Sequence, residues 1–167
     1  MPHGKNIFPI KRITVCGMLI ASAVVLGFIE GFIPLNFGFA GFKLGLANIV
    51  VLFALYKLKS VDAIVICILK ILICGLAFGG PVYIFYSLSG GLLSFLIMLL
   101  LKNKLHIITV SILGAVFFNI GQVLCAVVMF STIAIIYTYL PLLMLAGVIT
   151  GSLIGFVANI AIKRIKI

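Results

Sequence analysis

Acidic side chains are almost missing from this sequence. Glu30 and Asp62 are the only two in 167 residues, and charged residues of all kinds make up 8%. That scarcity excludes sites built from several carboxylates, including a carboxylate cage for magnesium. No G-x-x-x-x-G-K-S/T segment occurs, so ATP is not held by a P-loop. There is no Cys-x-x-Cys pair; Cys16, Cys67, Cys74 and Cys125 read as small apolar packing residues rather than metal ligands. His3 and His106 lie far apart, and neither is assigned a role. Polar linkers and low-complexity tracts are also lacking, which leaves one domain over residues 1–167. The expectation is a protein with no catalytic residues, no metal and no cofactor, and not an enzyme.

What fills the chain is apolar: 65% of residues are hydrophobic. A water-soluble globule of this size has too much surface to hide that fraction, whereas a membrane protein exposes it to lipid. About 20 apolar residues cross the hydrocarbon core. Breaks at charges, prolines and glycines divide the chain into segments at about 13–33, 44–56, 61–78, 82–101, 107–131 and 137–162. Without water to satisfy backbone groups these are expected to be helices. The alternation that a transmembrane barrel requires is absent. The expected fold is an all-α integral membrane bundle of six transmembrane helices, its second segment short enough to be partial or re-entrant.

The net charge of +10 then becomes a question of topology, not of nucleic acid, for which no role is expected. Lys5, Lys11 and Arg12 precede the first segment, and Lys57 and Lys59 follow the second. Lys102 and Lys104 follow the fourth; Lys163, Arg164 and Lys166 follow the sixth. In a six-span arrangement these ten share one side, so the positive-inside rule makes both termini cytoplasmic. The expected location is the cytoplasmic (plasma) membrane. Met1–Ile10 is too polar for a signal core and no A-x-A site follows, so the first segment reads as an uncleaved anchor.

Small residues mark helix contacts in lipid. Gly17, Ala21, Ala23, Gly27 and Gly31 share an arc of about 160° on the first helix. Gly147, Gly151 and Gly155 form two consecutive G-x-x-x-G units on the sixth. Internal packing explains either stripe; the sharper reading gives Gly17 and Ala21 to a separate membrane subunit and the three later glycines to helix packing. Lys70 lies midway along the third segment, where a charge is costly and points to function by default. It belongs to a stripe with Ala63, Cys67, Cys74 and Ala77. Ser111, Ala115, Asn119, Gln122 and Ala126 form a polar stripe on the fifth segment. Asn48, Glu30 and Lys43 lie towards the outer ends of the first two. Together Glu30, Lys43, Asn48, Lys70, Asn119 and Gln122 are candidate substrate-binding residues converging on an external cavity. The plainer alternative pairs Glu30 with Lys70 or Lys43 and leaves Asn119 and Gln122 bonding neighbouring helices. Tyr83, Tyr86, Tyr137 and Tyr139 suit an interfacial aromatic belt at least as well as a ligand wall.

Several blocks carry a resemblance. They are Lys43-Leu44-Gly45-Leu46-Ala47-Asn48, Ser87-Leu88-Ser89-Gly90-Gly91-Leu92-Leu93-Ser94, Ser111-Ile112-Leu113-Gly114-Ala115 with Asn119-Ile120-Gly121-Gln122, and Leu140-Pro141-Leu142 with Gly147-Val148-Ile149-Thr150-Gly151. Between Lys43 and Ala158 the chain resembles the Gx transporter family, also labelled heptaprenyl diphosphate synthase component I. That family is similar to the substrate-binding S components of energy-coupling-factor (ECF) vitamin transporters. The resemblance implies a six-helix subunit that joins an ECF-type transmembrane coupling subunit and ATPase subunits, with Gly17 and Ala21 facing the former. Two positions depart from the family pattern. Phe118 stands where a His is frequent, and Lys70 where an Arg is common; an ammonium keeps the charge but loses the bidentate fork.

Two function classes remain. One is the substrate-binding subunit of an importer for a small molecule such as a vitamin or cofactor precursor, with Lys43 and Lys70 suiting an anionic or carbonyl-rich ligand. The other is a non-catalytic membrane partner of quinone, prenyl diphosphate or flavin-based electron-transfer machinery. The D-D-x-x-D motif that a prenyl diphosphate synthase needs is absent, so the synthase label carries no chemistry of its own here.

Overall fold

The computed structural model describes residues 7–31, 45–131 and 134–165. Among them are six α-helices and no strand: α1 (Ile7–Gly31), α2 (Asn48–Lys57), α3 (Ser60–Cys74), α4 (Gly80–Leu101), α5 (Ile107–Phe130) and α6 (Ala134–Arg164). A π-helical turn, Gly75–Gly79, joins α3 to α4. Each apolar segment of the sequence overlaps a helix, because a helix is the one open-ended structure that satisfies its own backbone in lipid.

Four stretches are long and apolar enough to cross a membrane: Ile10–Gly31, Ser60–Leu101, Ile107–Phe130 and Tyr139–Arg164. The expectation of six crossings is met only that far. With ten residues, α2 is about 15 Å long, half the hydrocarbon thickness. The Ser60–Leu101 stretch is not straight. Gly80 adopts φ +72°, a conformation that favours glycine, and Pro81 follows at the start of α4. Gly91 lies against Ile71 and Cys67, residues that a continuous helix would hold about 30 Å away. The chain therefore reverses at Gly80, and α3 and α4 pack antiparallel.

The core is built around α2. Val50 to Leu55 are all buried, with Val51, Leu52 and Leu55 each 1% exposed. Apolar on every side, α2 is stable only if enclosed, and α1, α3 and α6 enclose it. Side chains lock one end of the bundle. Arg12 makes a bidentate pair with Asp62, Nε to Oδ2 at 2.8 Å and Nη2 to Oδ1 at 2.5 Å. Tyr56 donates its hydroxyl to the Lys102 carbonyl, and Lys102 donates from Nζ to Ser60 Oγ.

The later helices approach through small residues. A Cβ on Gly121 would lie 2.8 Å from Gly90 Cα, and one on Gly151 would lie 2.7 Å from Ile112 Cα. The α4–α5 and α5–α6 backbones are thus nearly in contact, the geometry that small residues permit. Outward the molecule is greasy: Ile13, Val65, Leu76, Phe85, Leu96, Leu145, Leu153 and Phe156 are all exposed. Large apolar side chains facing out on four helices, over a core that holds polar ones, fit a lipid surround.

Candidate functional site

Lys70 anchors the polar interior. The 3.6-residue period that sets Ala63, Cys67 and Cys74 on its face turns that face inward, and all four are buried. Ala77 departs from the expected stripe and is exposed. The π turn beginning at Gly75 widens the helix by a residue and rotates Ala77 outward. The Lys70 ammonium donates to Asn48 Oδ1 at 2.5 Å.

Asn48 opens α2 immediately after a tight turn. Gly45 there has φ +78°, the second position where glycine's freedom is needed. Its N–H donates to Glu30 Oε1 at 2.6 Å, and its carbonyl accepts from the Asn48 N–H at 2.8 Å. Glu30, on α1, is 9% exposed, and its charge acts on Lys70. A connected path therefore runs Glu30–Gly45–Asn48–Lys70, linking α1, α2 and α3. In this low-dielectric setting each polar group is costly alone and stabilising when joined. Lys43 lies outside the described residues.

The two candidates on α5 face other neighbours. Asn119, 3% exposed, donates from Nδ2 to the Leu143 carbonyl of α6 at 2.6 Å. Gln122, also buried, packs its Cγ against Gly90 of α4, and its Nε2 has no hydrogen-bond partner. The structure thus gathers Glu30, Asn48 and Lys70 into one network, and sets Asn119 and Gln122 at the contacts of α5 with α6 and α4.

Ser87 is the residue to which sequence reasoning gave no role, and Tyr83 is one it left between an interfacial belt and a ligand wall. Tyr83 is half-buried and hydrogen-bonded to the buried Ser87, with Glu30 and Cys74 nearby. Gly91, one turn further along α4, meets α3, while Gly90 meets α5. Ser87 therefore stands on the wall between the helix of Lys70 and that of Gln122. The available signal was the spacing Tyr83, Ser87, Gly90/Gly91, Ser94, which marks one face of α4.

The stripe on α1 divides. Ala23 is fully buried and Gly27 faces the Cys74 sulfur, whereas Gly17, Ala21 and Gly31 are not packed in the core. Nothing lies within 4 Å of a Cβ placed on Gly17. Gly147, Gly151 and Gly155 all press on α5, against Asn119 and Ala115, Ile112, and Ser111 and Ile108 respectively. Among the described residues no group of three His, Cys, Asp or Glu side chains could hold a metal ion.

An all-helical bundle with lipid-facing apolar flanks and a lysine sealed in its interior is a multi-pass membrane protein. Residues 19–161 match the family described as heptaprenyl diphosphate synthase component I, and the chain belongs to that family. The match starts well ahead of Lys43 and takes in half of α1. No curated protein and no solved structure matches the chain.

Proposed function

We propose that this chain is the substrate-binding membrane subunit of an ECF-type importer for a small molecule such as a vitamin or cofactor precursor. The observation that carries the reading is Lys70, a lysine midway along an apolar helix, shielded from lipid and tied to Asn48 within charge range of Glu30. A membrane protein retains so costly a group where it serves a pathway or a ligand. Tyr83 and Ser87 line the same interior, and Gln122 brings a donor still without an acceptor. The substrate would meet Lys70 and Gln122 as donors, so an anionic or carbonyl-rich compound suits the site.

In this reading the chain crosses the cytoplasmic membrane six times, α3 and α4 as two arms of a hairpin and α2 as the short buried helix of the second crossing. Its ten clustered basic residues hold both termini in the cytoplasm. The protein is not itself an enzyme; a coupling subunit would dock on the open Gly17–Ala21 face of α1, and partner ATPases would supply the energy. The family description favours a second reading, a non-catalytic membrane partner of a prenyl diphosphate synthase. Purification in mild detergent followed by native mass spectrometry separates them. The importer reading expects ATPases, a coupling subunit and a retained small molecule. Recovery of a soluble prenyl synthase, with no ATPase and no small molecule, would overturn it.

A further inference from the structure

Lys70 apart, the bundle contacts gather the basic side chains of the described residues at one end and divide them into two kinds. Arg12–Asp62 ties the start of α1 to the start of α3, while Tyr56–Lys102 and Lys102–Ser60 tie the α2–α3 corner to the end of α4. Gly155 against Ile108 brings the last turns of α6 beside the start of α5. Arg12 and Lys102 are spent on these internal bonds. Lys11, Lys59, Lys104, Lys163 and Arg164 are exposed at the same end. Beside them stand exposed apolar side chains: Ile10, Val61, Leu105 and Ile165. A ring of cations on flexible stems, with greasy side chains just beneath, matches the depth where lipid headgroups meet acyl chains.

We propose that this rim is a binding surface for the phosphodiester headgroups of anionic membrane lipids, with Lys11, Lys59, Lys104, Lys163 and Arg164 as its donors. The five sit on four separate elements, so the headgroups bridge α1, the α2–α3 corner, the α4–α5 corner and the end of α6. Bound lipid thereby clamps the end of the bundle that the Arg12–Asp62 pair starts to close. Each exposed cation should favour an anionic over a zwitterionic headgroup roughly fivefold at low salt. The surface is independent of the interior site, whatever that site binds.

The test uses the full-length protein in nanodiscs of equimolar phosphatidylglycerol and phosphatidylcholine. Native mass spectrometry of the released protein reads the ratio of the two lipids retained. We expect phosphatidylglycerol to be enriched, and Lys59→Gln, Lys104→Gln or Lys163→Gln each to cut the enrichment several-fold with helical content unchanged. Lys102→Gln, at the same end but committed to Ser60, should leave the ratio unaltered. Equal retention of both lipids would overturn the proposal, as would an equal loss with Lys102→Gln. So would loss of the enrichment when inorganic phosphate is added at the same ionic strength, which would make the surface a site for free phosphate.

Discussion

Replacing Gly151 with alanine should loosen the α5–α6 pair, and the structure sets the size of the effect. The added methyl would lie 2.7 Å from Ile112 Cα, 3.0 Å from Ala115 Cβ and 3.0 Å from the Ser111 carbonyl oxygen. Carbon atoms rest at about 3.5–4.0 Å. Two of the three obstacles are backbone, so no side chain can swing aside and the helices must part by most of an ångström. Overpacking of this kind costs about 1–3 kcal/mol. In water, alanine's better helix propensity would return about 1 kcal/mol. In a membrane the separated helices remain helical, so little of that offset applies. Gly17→Ala is the matched control, because nothing lies within 4 Å of its new methyl; we expect its effect to be near zero. Thermal or dodecyl-sulfate unfolding in mild detergent, followed by circular dichroism, measures both. Equal stability of Gly151→Ala and the wild type would refute the close approach of α5 and α6.

Other expectations concern the interior and the open face. Gln122→Met should stabilise the empty protein by about 1–3 kcal/mol, since it removes a buried donor with no acceptor; a lowered unfolding midpoint would mean that the amide is structurally bonded. Lys70→Ala should weaken retention of the native small molecule at least tenfold by mass spectrometry, and unchanged retention would make Lys70 purely structural. Gly17→Leu or Ala21→Leu should abolish co-purification of a coupling subunit while leaving the unfolding midpoint unchanged. Undiminished recovery with both variants would remove α1 from the interface.

The helical class and the rough helix bounds were legible because a run of apolar residues between charges must be helical wherever lipid replaces water. The inward direction of Lys70 was legible too, since Ala63, Cys67 and Cys74 share its face. The place of α2 was not. A short apolar run over residues 44–56 states its own length but not that three other helices surround it. Ala77 turned outward because the π turn at Gly75–Gly79, just ahead of the reversal at Gly80, broke the period on which the stripe was counted. On α1 the 160° arc of small residues was counted correctly, yet an arc cannot say which edge meets the bundle. Ala23 and Gly27 took the buried edge, leaving Gly17 and Ala21 outside. Tyr83 looked interfacial by position alone; that it stands near Glu30 and Cys74 depends on α4 folding back along α3.

The order of the elements along the chain bears on how Lys70 enters the bilayer. Glu30 and Asn48 both precede it, so the groups that meet its charge are already synthesised when α3 emerges from the ribosome. A lone helix carrying an ammonium at its midpoint inserts poorly. Here α1 and α2 offer the incoming helix a carboxylate and an amide, and α4 returns beside it through the turn at Gly80. The first four helices thereby bring together the groups that meet the Lys70 ammonium, and α5 and α6 then assemble through their glycine contacts, α6 also closing over α2. A chain stopped after Leu101 should therefore integrate with Lys70 already sheltered, whereas one lacking the Glu30–Asn48 portion should stall at α3.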